Sequence, residues 1–114
     1  HRVQTGQGNL FPVQAEGMAN NHPSVFRSAL VGVGAPGQQE PVLVVELEPG
    51  HLPKELEHEE RLIREILARY DEHETFRAIR RVLFHPGFPV DPRHNAKIHR
   101  EELAVWAAEQ LAAQ

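Results

Sequence analysis

The chain contains 114 residues, of which 40% are hydrophobic and 25% are charged, and its formal net charge is −4. A chain of this size forms one domain with a modest apolar core, and its composition is that of an ordinary globular protein. The acidic balance argues against nucleic-acid binding, which needs clustered Lys and Arg. The sequence has no cysteine, which excludes disulfides and thiolate metal sites.

No apolar run approaches the roughly 20 residues that a membrane span needs, and no signal peptide is recognisable. We therefore expect a soluble, cytoplasmic protein without a transmembrane segment. The sequence begins with HRVQT rather than with a methionine. We interpret it as a piece of a longer protein, with an engineered or processed start as the alternative.

The first 21 residues predict a β-hairpin followed by a short helix. β-Favouring residues surround Gly6 and Gly8, and glycine supplies the positive φ that a tight turn needs. Pro12 suits the first position of a helix, where a missing N–H costs nothing. That helix is expected to end near residues 20–21, because the residue before Pro23 is driven toward extended backbone.

The remainder of the chain predicts two strands, a long helix, a third strand and a final helix. Residues 25–33 place alternate apolar side chains on one face, and VLVVEL at 42–47 is an apolar run typical of a strand covered on both faces. From Pro53 onward, apolar residues recur at helical spacing; they are Leu56, Ile63, Ile66, Leu67 and Tyr70. Residues 79–84 form the next strand candidate. The last helical stripe consists of Leu103, Trp106, Ala107 and Leu111. This order predicts an α+β fold with an N-terminal hairpin, a central, mostly three-stranded sheet and about three flanking helices.

Two patterns suggest chemistry that their context opposes. GVGAPG at 32–37 matches G-x-G-x-x-G, but prolines follow and lead into another strand, whereas a dinucleotide site needs a helix directly after the glycines. The eight histidines lack a pair at the spacing that places two ligands on one helical face. We therefore interpret the histidines as solvated or locally hydrogen-bonded and predict no metal site in this chain.

Lys97 is the candidate for a functional residue. Taken alone, a lysine near the start of a helix is a solvated surface charge. Here a loop stiffened by Pro89 and Pro92 presents it just before a helix anchored by Trp106. An ammonium on a flexible stem can neutralise a phosphate and a carboxylate together.

Three segments resemble the AMP-forming adenylating enzymes, the superfamily that includes acyl-CoA synthetases. NAKIHRE resembles the S-G-K-I-x-R lysine motif, with Lys97, Ile98 and Arg100 in place. GNLFPVQAEGM at 8–18 resembles G-x-x-I-x-P-x-E-I-E, and residues 22–50 resemble the strand, loop and strand that begin H-P-x-V. The likeness runs over essentially the whole chain. It departs from the family pattern at Gln14, which replaces a glutamate, and at residues 95–96, where Asn and Ala replace Ser and Gly.

The resemblance implies that residues 1–114 form the small C-terminal lid domain of such an enzyme, with the large N-terminal domain absent. It implies that Lys97 is catalytic, and that Asn95, Ala96 and Arg100 lie near the nucleotide. The hinge is then expected at or before His1 and Arg2. The resemblance also implies that Gly6, Gly8 and Asn9 face the substrate in the second reaction step. Whether the hinge residue belongs to the chain stays open.

Three segments are similar to sequences of the β-lactone-forming subfamily of bacterial long-chain olefin biosynthesis: HRVQT, RSALVGVG and VDPRHNAKIHREELAVWA. This likeness implies activation of a β-hydroxy fatty acid as an acyl-adenylate, followed by closure to a β-lactone. ATP and Mg²⁺ would be held mainly by the large domain, which is the expected partner, with other olefin-pathway enzymes as further partners. An acyl-CoA ligase that uses CoA is the alternative, and a non-catalytic interaction module is a second one. The domain alone is expected to be inactive.

Overall fold

A computed structural model describes residues 2–91 and 97–114. The strands are β1 Val3–Thr5, β2 Gly8–Leu10, β3 Val25–Val33, β4 Glu40–Leu47, β5 Arg81–Phe84, β6 Val90–Asp91 and β7 Lys97–Ile98. The α-helices are α1 Pro12–Asn20, α2 Leu56–Leu67 and α3 Arg100–Ala112, with a 3-10 turn at Phe76–Ala78. The predicted α+β fold is confirmed: a two-stranded hairpin, a three-stranded sheet and three helices.

The β1–β2 hairpin is antiparallel, and Val3 lies opposite Leu10. Both side chains are buried in the core, so they fix the hairpin to the rest of the domain. Gly8 has a φ of 124°, a conformation that costs other residues free energy. The turn is closed by the Thr5 hydroxyl, which donates to the carbonyl of Gly8 at 2.7 Å.

The central sheet has the order β3–β4–β5, with β4 antiparallel to β3 and parallel to β5. Successive residues of β4 point to opposite faces. Leu43 and Val45 join a cluster with α1 and α2 on one face, whereas Val42 and Val44 join a cluster with α3 on the other. The prediction that 42–47 is a central strand covered on both faces is therefore confirmed.

The long helix differs from its prediction at both ends. It begins at Leu56, which is 71% exposed, so the prediction that Leu56 belongs to the apolar stripe is wrong. Leu62 and Ile66 supply the buried face instead. Tyr70 is fully buried in the apolar cluster although the helix ends at Leu67, and its hydroxyl donates to the carbonyl of Ala15 at 2.6 Å.

The segment after the long helix is also subdivided more finely than predicted. The 3-10 turn precedes β5, which starts at Arg81 rather than at residue 79. The predicted loop before the last helix contains the short pair β6 and β7.

Among the described residues, no helix combines the length and the apolar character that crossing a membrane would need.

Candidate functional site

Lys97 lies on β7, where its backbone is held but its side chain is exposed. β7 pairs antiparallel with β6, with Lys97 opposite Asp91. Ile98 packs against the α3-side cluster, and the N–H of His99 donates to the carbonyl of Pro89 at 2.9 Å. This arrangement presents a cation on a backbone that is held at Lys97 and at the two residues that follow it.

Arg100 is the first residue of α3, and its Nη2 donates to Oε1 of Glu16 on α1. The side chains are only 25% and 10% exposed, respectively. The other carboxylate oxygen of Glu16 accepts a hydrogen bond from the N–H of Leu30 on β3 at 2.8 Å. The carboxylate therefore joins α1, the central sheet and the segment that follows Lys97. We refer to Glu16 and Arg100 as the tether pair.

The electrostatics of the tether pair reflect its burial. Burial raises the pKa of Glu16 above 4.5, while the N–H of Leu30 and the Arg100 guanidinium act in the opposite direction. Burial and the nearby Glu16 carboxylate also raise the pKa of Tyr70. Burial disfavours the charged forms of these acids, and at Glu16 the hydrogen bond from the N–H of Leu30 and the Arg100 cation both oppose this effect.

The residues predicted to face the second reaction step lie in the N-terminal hairpin. Gly6, Gly8 and Asn9 are all exposed, as is Arg2 immediately before β1. A hollow of ≈ 300 Å³ lies between this hairpin and the 3-10 turn, with Asn9 and Arg77 among its lining residues. The predicted site residues His1, Asn95 and Ala96 lie outside the described residues.

The tether pair brings together the two sequence motifs that contain Lys97 and Glu16, but it was not predicted. Glu16 is buried on the inner face of α1 together with Ala15 and Ala19. A buried carboxylate requires a partner, and Arg100 supplies it from a position 84 residues away in the sequence.

The glycine pattern at 32–37 covers the end of β3 and the loop that follows. Gly34 and Gly37 have φ values of 112° and 87°, and the chain then enters β4 at Glu40, as the prolines predict. A strand and not a helix follows these glycines, so the segment lacks the helix N-terminus that a dinucleotide-binding turn places after its glycines.

Several histidines make local hydrogen bonds, as interpreted from the sequence. Nε2 of His22 lies 2.8 Å from Oε1 of Glu65, and Nδ1 of His51 lies 3.1 Å from the hydroxyl of Ser24. Nδ1 of His85 accepts from the N–H of Gly87 at 3.0 Å. In each of these three residues a ring nitrogen therefore has a partner within the domain.

Comparisons with known proteins give close sequence relatives. Over 110 residues the chain is 53% identical to an olefin β-lactone synthetase of Xanthomonas campestris pv. campestris, a match that covers 96% of the chain and 19% of that relative. It is 46% identical over 111 residues to an olefin β-lactone synthetase of Stenotrophomonas maltophilia, again covering 96% of the chain and 19% of the relative. No protein-family model matches the chain.

Solved structures share the fold. The anthranilate CoA ligase AuaEII in complex with anthranoyl-AMP matches with a TM-score of 0.75 and 26% identity, covering 99% of the chain and 21% of that protein. A Brucella canis acyl-CoA synthetase matches with a TM-score of 0.74 and 23% identity, covering 97% of the chain and 20% of that protein. The chain thus spans about a fifth of the length of its relatives and neighbours.

Proposed function

Because the chain belongs to the AMP-forming adenylating enzymes, we propose that it is the mobile C-terminal domain of a cytoplasmic ligase. This ligase activates a long-chain β-hydroxy acid as an acyl-adenylate and closes it to a β-lactone. The observation that carries the proposal is the 53% identity to an olefin β-lactone synthetase over 96% of the chain. The large N-terminal domain, which would hold ATP and the acid, is the principal partner.

The proposed role of Lys97 is electrostatic. In the first step a carboxylate oxygen of the acid attacks the α-phosphorus of ATP, the bond to the bridging oxygen breaks, and pyrophosphate leaves. This step brings two anions together. The ammonium of Lys97, exposed on an anchored backbone, would neutralise charge that develops between them. Asn95 and Ala96 are proposed to lie near the nucleotide when the domain is closed, whereas the guanidinium of Arg100, also expected there, is engaged by Glu16.

The second step is proposed to use a different face of the same domain. Rotation about a hinge at or before His1 and Arg2 would remove Lys97 and bring the hairpin residues Gly6, Gly8 and Asn9 over the acyl-adenylate. Domain motion of this kind is a common gating step. The β-hydroxyl of the substrate would then attack its own acyl carbon, lose its proton, and displace AMP, so that no CoA is consumed.

A structural neighbour supports the adenylate chemistry, since AuaEII was solved with anthranoyl-AMP. Mg²⁺ is expected to accompany ATP. Among residues 2–91 and 97–114, no group of three or more His, Asp or Glu residues is arranged to hold a metal ion. The large domain is proposed to supply the Mg²⁺ ligands.

The proposal is tested by incubating the full-length enzyme with ATP and a long-chain 3-hydroxy acid in the absence of CoA. We expect AMP, pyrophosphate and the β-lactone, identified by mass spectrometry. The matched control is the fatty acid without the 3-hydroxyl. It should support ATP–pyrophosphate exchange but give no lactone, because it has no internal nucleophile. A strict requirement for CoA, with a thioester as product, would instead establish the acyl-CoA ligase alternative.

We also propose that the 114-residue chain is inactive alone, because we assign nearly all nucleotide contacts to the large domain. ATP–pyrophosphate exchange should be undetectable with the isolated chain and any carboxylic acid. Adding the separately produced large domain provides the positive control. Exchange by the isolated chain would contradict the proposed division of labour between the two domains.

A further inference from the structure

The tether pair lies close to Lys97 in sequence and at the meeting point of three elements. Each oxygen of the Glu16 carboxylate has its own partner: Arg100 on α3 and the N–H of Leu30 on β3. Because the carboxylate is buried, water competes weakly for these hydrogen bonds, which strengthens them. Glu16 therefore fixes the start of α3 relative to the sheet.

The connection from Arg100 back to Lys97 leaves little freedom. Ile98 packs against the α3-side cluster, and the N–H of His99 is bonded to the carbonyl of Pro89. Lys97 itself lies within the β6–β7 pair. A displacement of Arg100 is thus transmitted to Lys97, because no unpaired residue lies between the two.

Stability does not explain why this contact is ionic. A buried ion pair is often no more stabilising than apolar side chains of similar volume, because both charges lose their hydration. What this contact does provide is a directional, charge-assisted hydrogen bond from Nη2 of Arg100 to Oε1 of Glu16. A defined geometry is useful where the position of a neighbouring group matters.

We propose that Glu16 and Arg100 are positioning residues that hold Lys97 at the place required for adenylation. The inference rests on the proposed function of Lys97. The pair acts through the backbone of residues 97–100 and need not contact the nucleotide or the acid. Its loss should therefore affect the step that uses Lys97 and spare the step from which Lys97 has been withdrawn.

The experiment uses the full-length enzyme with Glu16→Gln, Arg100→Gln and Lys97→Ala, singly and with each Gln change added to Lys97→Ala. A glutamine at position 16 can accept from Leu30 or from Arg100, but not from both, since its NH₂ group replaces one acceptor. We expect each Gln variant to slow adenylation by about tenfold or more, the scale for a small displacement of a catalytic group. KM for ATP should stay within about twofold. Consumption of presynthesised acyl-adenylate should also stay near the parental rate.

Tyr70→Phe is the matched control. It removes another buried hydrogen bond of α1, the one to the carbonyl of Ala15, but this bond leads to the segment after α2 and not to α3. Circular dichroism and urea unfolding measure the folded fraction of each variant, and all rates are divided by that fraction. Arg100→Lys keeps the positive charge and is expected to retain more activity than Arg100→Gln. If Arg100→Gln does not fold, Arg100→Lys is used in its place.

The outcomes separate the hypotheses. In the Lys97→Ala background, either Gln change should have no further effect, because there is no lysine left to position. A raised KM for ATP in Arg100→Gln with parental behaviour of Glu16→Gln would overturn the inference and make Arg100 a nucleotide contact. If the Gln variants slow both half-reactions equally, or if Tyr70→Phe slows adenylation as much as they do, the positioning inference is overturned. The effect would then reflect a general loss of rigidity in the domain. Parental adenylation by Lys97→Ala would instead overturn the proposed function on which the inference rests.

Discussion

Replacing Lys97 by alanine tests the proposed chemistry most directly. The side chain is exposed, and the hydrogen bonds that hold its backbone belong to the β6–β7 pair and survive the truncation. We therefore expect the free energy of unfolding to change by no more than about 0.5 kcal/mol, as is usual for surface substitutions. Adenylation should nevertheless slow by about 10² to 10³, the scale for deleting one preorganised charge stabiliser.

The two magnitudes separate chemistry from folding. A domain that is stable by about 5 kcal/mol or more stays over 99% folded after a loss of about 0.5 kcal/mol, so unfolding cannot account for a hundredfold decrease in rate. The assay is ATP–pyrophosphate exchange by the full-length enzyme, paired with consumption of presynthesised acyl-adenylate, which should be much less affected. Lys54→Ala is the matched control, because Lys54 is also exposed and has no proposed role. If both lysine variants exchange at the parental rate, Lys97 is an ordinary surface charge and the reasoning is wrong.

Two further predictions concern stability. Leu103→Ala should cost about 2–5 kcal/mol in urea unfolding of the 114-residue chain, because Leu103 is fully buried against the sheet; Val105→Ala, on the same helix but 63% exposed, should cost under about 0.5 kcal/mol, and equal losses would refute the packing assignment. Burial lowers the pKa of His85 below 6.5, partly opposed by Glu46, so the stability associated with the neutral ring is present above pH 6.5 and is lost as the pH falls through the lower, folded-state pKa. The single tryptophan, Trp106, lies 4.5 Å from the His85 ring and reports unfolding by fluorescence; His85→Asn should flatten the acid-side loss, and an unchanged pH profile would contradict this.

Local sequence signals predicted most of the secondary structure. Pro12 and Pro23 set the limits of α1 because each restricts the backbone in its own neighbourhood, and the apolar run at 42–47 identified the central strand. Tyr70 continued the helical spacing of α2, but it lies beyond the end of that helix and its hydroxyl contacts α1. The parallel pairing of β5 with β4 also depends on contacts between distant segments, which periodicity within one segment does not specify.

The candidate site was predicted less completely, for a related reason. From composition and spacing alone, Lys97 would be interpreted as a surface charge. Only the likeness to the lysine motif favoured a catalytic role. The exposed position of Lys97 agrees with both interpretations, so its catalytic role stays a prediction. The Glu16–Arg100 contact joins residues 84 positions apart, and the local sequence around Glu16 does not identify so distant a partner.

The departures from the family pattern can now be compared with their positions in the fold. Gln14 replaces the first glutamate of the motif and is exposed on α1, where an amide and a carboxylate are both solvated. Glu16 keeps the second glutamate, and its carboxylate is buried against Arg100 and Leu30. An amide there would leave one of two buried donors without an acceptor. Burial therefore explains why the fold tolerates an amide at position 14, and why an amide is less favourable at position 16 while Arg100 is present.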